Sequence, residues 1–309
     1  MDGLLVVDKP AGPTSHDVVA RMRRVLRERR IGHTGTLDPA ATGVLPLVLG
    51  RATRLARFLS TGTKSYDAVI RLGRATTTYD AEGEPVGAAY EGLWPSRLAI
   101  DRALDAFRGT FMQQPPAFSA KKIQGRRSYR LARAAARDQL FSRPPLRTAA
   151  GAPVTVSSIE ILSIDASDIA LRIDCGAGFY VRSLAHDLGN ALGTGAHLAA
   201  LRRTRSGDVT VADAAPLDAL ERDPSAAARR VIGLERLLPE LPSVVLTAAG
   251  VRSAANGRDL GAADAAAGFE ARDSGFVRLF SPAGALVGIA APASGRRPSE
   301  LLHPFVVLM

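Results

Sequence analysis

The chain has one cysteine, Cys175, in 309 residues. An intramolecular disulfide framework is therefore excluded, and the composition fits a reducing cytosol. Cys175 falls in a strand-like run and reads as a small buried hydrophobe rather than a nucleophile. One cysteine and five scattered histidines give no metal-ligand spacing, so no metal is expected. Long apolar runs are also missing. Those present, such as 44–49, are far too short to span a membrane. The opening Met1-Asp2-Gly3-Leu4 lacks the charged n-region and long h-region of a signal peptide, so a cytoplasmic location is expected. No G-x-x-x-x-G-K-[ST] occurs, which argues against a phosphate-loop nucleotide enzyme. Acidic residues are the minority, 30 against 40 basic, and the net charge is +10 with a sequence pI near 10.5. Lysine is scarce: only 4 of the 40 basic residues are Lys and 36 are Arg. A GC-rich genome explains Arg over Lys but not the excess of base over acid. That excess suits a polyanion, and Arg forks that grip phosphate and stack on bases suit RNA.

With 46% apolar and 23% charged residues, the chain is built like a globular protein with a full core and room for a second, smaller domain. The patterning predicts a buried strand at 3–8, a helix over 15–29 capped by Thr14 or Ser15, a strand at 44–49 and a helix at 52–59. It continues with a strand at 66–72, a helix at 96–107, a strand pair at 154–164 and 169–175, and a helix at 181–192 closed by Gly193. Without regular βαβ alternation, this reads as α+β with a mixed, mostly antiparallel sheet and flanking helices. Composition shifts near 239–242. Beyond it, short β-like runs at 244–247, 276–281, 285–290 and 305–308 predict a small β-rich domain over 241–309, with 262–267 as a surface turn or short helix. The most lopsided stretch, 121–147, carries nine basic residues against one acid, Asp138. A charge run is usually a solvated face, but aromatics interleave this one and proline pairs bracket it. It reads as a phosphate-gripping insertion over about 115–147, a mobile flap with a short helix at 128–137.

One loop concentrates unusual chemistry: Gly32-His33-Thr34-Gly35-Thr36-Leu37-Asp38-Pro39-Ala40-Ala41-Thr42-Gly43-Val44-Leu45-Pro46. Three glycines and two prolines constrain its backbone around a single carboxylate, Asp38. Two readings stand on the residues alone. Asp38 bonds its own backbone in a turn, as Asp often does, or the loop mounts a reactive carboxylate. Four other segments stand out: Lys9-Pro10-Ala11-Gly12-Pro13-Thr14-Ser15, Lys64-Ser65-Tyr66, Thr76-Thr77-Thr78-Tyr79-Asp80-Ala81-Glu82-Gly83, and Gly178-Phe179-Tyr180-Val181-Arg182-Ser183-Leu184. Singly, Tyr66 reads as a strand aromatic, Arg182 as a helix surface charge and Asp80 as a turn residue.

Together and in this order, these segments resemble the pseudouridine synthases of the TruB family, over about residues 3–210. The resemblance implies isomerisation of uridine 55 in the T loop of tRNA, by a cytoplasmic enzyme that needs no cofactor. It places the catalytic residue at Asp38, with Tyr66 and Arg182 beside it. It places substrate contacts at His33 and Asp80, and a base pocket lined by Tyr180 and Leu201. The segment Ala196-His197-Leu198-Ala199-Ala200-Leu201-Arg202-Arg203 resembles the family's G-A-H-x-x-x-L-R-R. The resemblance further implies a catalytic domain over 1–240, a PUA-like RNA-binding domain over 241–309, and a monomer that engages the T arm through the basic insertion. Thr77 departs from the Asp or Asn common in the polar loop, which puts one secondary hydrogen bond in doubt.

The chemistry is consistent with these residues. A C–N glycosidic bond breaks, a C–C bond forms to the same base, and a proton leaves C5, with no redox step. Ionised Asp38 suits the first task, Arg182 suits its partner, and Tyr66 suits stacking on the base and moving the C5 proton. Attack at C6, attack at C1′ and a glycal route all stay open. The base must be flipped out to be reached. A tRNA-binding or folding module without turnover is the rival reading. A carboxylate-pair glycosidase is disfavoured, because the loop offers one carboxylate and not two.

Overall fold

The computed structural model describes residues 1–117, 150–270, 275–293 and 301–309, and the backbone at 122–123 and 126–127. A ten-stranded mixed sheet forms its centre. Across it the strands run Ala215–Pro216, Gly3–Lys9, Thr42–Leu49, Ala196–Ser206, Lys64–Leu72, Asp168–Cys175, Ala152–Asp165 and Gly109–Gln113. Ile31–His33 joins Thr42–Leu49, and Val209–Thr210 joins Ala196–Ser206. Most neighbours are antiparallel. The exceptions are Gly3–Lys9 with Ala215–Pro216 and Thr42–Leu49 with Ala196–Ser206.

Gly3–Lys9 and Thr42–Leu49 are apolar at consecutive positions because both of their faces are covered. Leu5, Val7, Leu45, Leu47 and Leu49 face the main core, where the helices Ser15–Val25 and Val181–Ala191 pack. Leu4, Val6, Val44 and Val48 face the other way, into a second cluster that includes Leu286, Ile289 and Leu308. Leu286 and Ile289 come from a separate five-stranded sheet, ordered Ala265–Ala267, Ser243–Leu246, Val277–Phe280, Leu286–Pro292, Leu302–Val307, and Leu308 directly follows its last strand. Its docking is completed by Phe58, edge-on to Phe276 at 4.9 Å, by Arg57 over the Phe305 ring at 4.5 Å, and by Arg51 donating to the Leu308 carbonyl at 2.7 Å. The mixed, mostly antiparallel architecture with a β-rich C-terminal part is therefore as the patterning predicts.

Several elements differ from that patterning. The first helix stops at Val25, not near 29. Thr14 caps it through a capping box with Asp17, and at its other end Arg27 takes φ +50 while Arg23 donates to the Ile31 carbonyl at 2.7 Å. The chain thus reverses early into the Ile31–His33 strand. The 52–59 helix is a 3-10 segment, Gly50–Leu55, followed by one α turn, Ala56–Leu59, and the 96–107 helix is α only over Arg97–Leu104. Ala265–Ala267 is a strand after a 3-10 turn, and an unforeseen helix, Ala248–Ala255, follows its cap Thr247. The Ala196–Ser206 strand was also unforeseen, although it lies mid-sheet. Its arginines disguise it, and each has a structural partner: Arg202 forks onto Asp8 at 3.0 and 2.8 Å, and Arg205 pairs with Asp174 at 3.1 Å. The basic insertion and its expected helix lie mostly outside the described residues. Within it, Lys122–Ile123 pairs with Arg126–Arg127 as a short antiparallel ladder.

Gly43 shows why the Asp38 loop needs glycine. Its φ is +99, and a Cβ there would lie 2.2 Å from the Arg203 carbonyl oxygen. Gly43→Ala is expected to destabilise the protein by at least about 2 kcal/mol, read as a lowered urea midpoint at unchanged m.

Candidate active site

The loop that carries Asp38 is anchored from beneath by three side chains. Lys9, fully buried at the end of its strand, donates from Nζ to the carbonyls of Pro10, Pro39 and Ala41 at 2.8, 3.0 and 2.7 Å. Burial, opposed by nearby Asp38, lowers the pKa of its ammonium to about 8. Ser15 Oγ, on the first helix, accepts from the Leu37 amide at 2.9 Å and donates to the Leu37 carbonyl at 3.0 Å. Arg203 is buried and donates from Nε to the Val44 carbonyl at 2.7 Å and from Nη2 to the Gly35 carbonyl at 3.1 Å. The Ala41 amide closes the turn onto the Asp38 carbonyl at 3.1 Å. The loop therefore holds its shape through backbone atoms, which leaves the Asp38 carboxylate free for other partners. The segments that hold these three residues stand out in the sequence, but their anchoring role does not. Lys9 and Ser15 bracket the turn Pro10-Ala11-Gly12-Pro13-Thr14, and that turn is the signal for them.

The Asp38 carboxylate meets Arg182. Arg182 Nε lies 3.0 Å from Oδ2, and Nη2 donates to Oδ1 at 3.2 Å. Arg182 follows Tyr180, the N-cap of the Val181–Ala191 helix, and is 6% exposed, whereas 41% of the Asp38 side chain faces the cleft. On its other edge Nη1 donates to the Thr78 carbonyl at 3.2 Å and lies 3.6 Å from Asp80 Oδ2. One guanidinium thus bridges two carboxylates from different loops. Burial raises the Asp38 pKa above its ordinary 3.8. Arg182 opposes that, and Asp80 reinforces it. Two donors on its two oxygens suit the carboxylate form, and Arg182 cannot give up its proton.

Asp38, Tyr66, Tyr180, Arg182 and Leu201 line one cleft of about 280 Å³. Tyr66 is buried in the Lys64–Leu72 strand, opposite Arg203 on one side and Ile173 on the other. Burial raises its phenol pKa above the usual 10, against an opposing hydrogen bond with Arg203, so the ring stays a neutral phenol. Tyr180 is fixed by Gln113. This buried amide accepts from the Tyr180 N–H at 2.8 Å and donates to the Tyr180 carbonyl at 3.0 Å. Gln113 ends an edge strand that pattern reading left unassigned. The structure brings Asp80 to Arg182 rather than to the cleft wall. His33 ends the Ile31–His33 strand with its ring edge-on to His16 at 5.5 Å, outside the cleft lining. A neighbouring cavity of about 360 Å³, between the main sheet and residues 232–240, meets the cleft at Thr34 but is lined by neither Asp38 nor Arg182.

Comparison with known proteins assigns the chain to a family. The N-terminal domain of TruB family pseudouridylate synthases matches residues 23–181, and the C-terminal domain of tRNA pseudouridylate synthase B matches residues 182–239. The chain is 42% identical over 318 residues to the tRNA pseudouridine synthase B of Solibacter usitatus, with both chains fully covered. It is 44% identical over 263 residues to that of Mycobacterium tuberculosis, which covers 84% of each chain. Among solved structures, a Cbf5-Nop10-Gar1 complex superimposes with a TM-score of 0.73 at 27% identity, covering 99% of this chain and 85% of the other. A second, an H/ACA RNP bound to a substrate RNA containing 2′-deoxyuridine, gives 0.71 at the same identity and coverage. With both family domains matched in order and a relative aligned end to end, the chain belongs to the TruB family of pseudouridylate synthases.

Proposed function

We propose that the protein isomerises uridine to pseudouridine at position 55 in the T loop of tRNA, with Asp38 as the nucleophile and the target base flipped into the cleft. The observation that carries this reading is one carboxylate on a rigid loop, gripped by a buried arginine and facing a base-sized cleft walled by Tyr66 and Leu201. The full-length match to relatives named tRNA pseudouridine synthase B supports tRNA as the substrate. The test is release of tritium from tRNA carrying 5-³H-uridine. Release that grows with enzyme supports the reading, and tight binding with no release overturns it in favour of a binding module.

In this reading ionised Asp38 drives loss of the C1′–N1 bond, and Arg182 holds the carboxylate and steadies its charge. The detached base stays between Tyr66, Tyr180 and Leu201 while it rotates. C5 then bonds to C1′ as any bond to Asp38 breaks, the proton on C5 leaves, and N1 takes one up from water, so the product is an isomer of the substrate. Neutral Tyr66 stacks on the base, and its hydroxyl relays the C5 proton to water. Asp80 holds the outer edge of Arg182. His33, next in the chain to cleft-lining Thr34, contacts bases displaced with the target. No step calls for a metal or an organic cofactor.

Residues 1–240 form the catalytic domain in this reading, and 241–309 a PUA-like RNA-binding domain. The protein works as a cytoplasmic monomer on the T arm. A binding module without turnover is disfavoured because an acid in a basic RNA cleft repels phosphate and gains nothing for affinity. The basic insertion supplies phosphate contacts. Replacing Arg126, Arg127 and Arg130 by Ala is expected to weaken tRNA binding and to flatten the salt dependence of log K by about one unit of slope per lost contact. Binding titrations across a salt series measure this, and an unchanged slope removes the insertion from the interface.

A further inference from the structure

Arg182 contacts Thr78 and Asp80, and the residue between them, Tyr79, has a strained backbone. Tyr79 takes φ +65, the left-handed region, which is unfavourable for a bulky side chain and persists where the surroundings impose it. Its ring lies flat on His186, with centroids 3.8 Å apart and planes 10° from parallel. His186 stands four residues beyond Arg182 on the same helix, so the two side chains share a face one turn apart. Burial pushes the His186 pKa below its usual value and the Tyr79 pKa above its own, and two neutral rings stack. His186 Nδ1 is buried and makes no hydrogen bond among the described residues, so ring packing rather than a hydrogen bond orients that edge. Backbone bonds tie the far side of the Thr78–Asp80 loop to the Ala196–Ser206 strand. The Leu198 amide donates to the Tyr79 carbonyl at 2.9 Å, and the Ala81 amide donates to the Leu198 carbonyl at 3.0 Å. The loop is thus clipped to a strand on one side and to the Arg182 helix on the other.

We propose that the Tyr79–His186 stack is a positioning device for pseudouridine formation, pinning the Thr78 carbonyl and the Asp80 carboxylate against Arg182 and so fixing how Arg182 presents Asp38. The proposal rests on the reading of Asp38 as the nucleophile. Neither ring lines the cleft, so both act through Arg182 and leave RNA contacts alone. The strained backbone is the cost of bringing the ring over the helix while both neighbours of Tyr79 still reach the guanidinium.

Tyr79→Gly tests this cleanly. Glycine adopts φ +65 without strain, so the variant removes the ring while relaxing the backbone. His186→Ala removes the other ring and leaves the loop untouched, which keeps the test intact if the first variant folds poorly. Tyr79→Phe keeps the stack. Single-turnover release of tritium from 5-³H-uridine tRNA and the Kd for the same tRNA are measured well below each variant's Tm. Tyr79→Gly and His186→Ala should each slow the single-turnover rate about tenfold at unchanged Kd. The double variant should be no slower than either single one, because both remove the same interaction. Tyr79→Phe should recover most of the rate. A parental rate in both ring-removing variants overturns the proposal, as does a loss confined to Kd or to Tm. If the parent protein itself releases no tritium, it is the reading of Asp38 that fails. An active parent with unaffected variants overturns the stack alone.

Discussion

Asp38→Asn is expected to lower pseudouridine formation by at least about 10⁴-fold, the scale on which loss of a nucleophile acts, with little change in fold or in tRNA affinity. The fold survives because the loop does not depend on the carboxylate. Lys9, Ser15 and Arg203 hold its backbone, and the turn closes on the Asp38 carbonyl rather than on its side chain. Asn has the same shape but lacks the charge and the nucleophilic oxygen. Arg182 keeps Asp80 as a counter-charge. Affinity should hold or rise slightly, since a negative charge leaves a basic RNA-facing cleft. Tritium release and a binding titration on the same preparation separate the two effects. Turnover near the parental rate would remove Asp38 from the chemistry.

Arg182→Ala has the second-largest expected effect, a fall in kcat of about 10²- to 10³-fold, in the range for losing one fixed charge at a reacting centre. Two consequences follow from the geometry. Asp38 loses both of its guanidinium donors, and Asp80 is left nearby with no cation between them. The sign of the pH effect is then set. Burial already raises the Asp38 pKa and Arg182 lowers it, so removing Arg182 raises it further. Activity needs the ionised form and is lost as pH falls through that pKa. The acid limb of the pH–rate profile should therefore begin above the ordinary aspartate range in the parent and move to still higher pH in Arg182→Ala. Arg182→Lys restores a charge but not the fork that meets both Asp38 oxygens, so it should fall between the two. A kcat profile from acid to neutral pH measures this. An acid limb that stays in place would show that Arg182 does not govern Asp38.

The strands and helices with clean apolar periodicity were legible in the sequence, and so was the Asp38 loop, because glycine and proline mark constrained backbone directly. Ala196–Ser206 was not legible. Its arginines break the alternation of a strand, and only the folded sheet places Asp8, Asp174 and the Val44 carbonyl opposite them. For the site, Asp38, Tyr66, Tyr180, Arg182 and Leu201 could be named in advance and meet in one cleft. The supports beneath them could not. Lys9 reaches carbonyls about thirty residues away and Gln113 reaches Tyr180 across 67 positions, and these bonds go to main-chain atoms, which leave no mark in a sequence. Tyr79 read as part of a polar turn, and its ring contact depends on a backbone angle that its residue type disfavours.

The central claim is that this protein forms pseudouridine at one position of the tRNA T loop and that Asp38 makes it happen. Nucleotide-resolution mapping of pseudouridine on unmodified tRNA, treated separately with parent protein and with Asp38→Asn, tests it most directly. The account predicts pseudouridine at position 55 alone with the parent and unchanged uridine there with the variant. Uridine left intact by the parent, or pseudouridine formed equally by both, would contradict it.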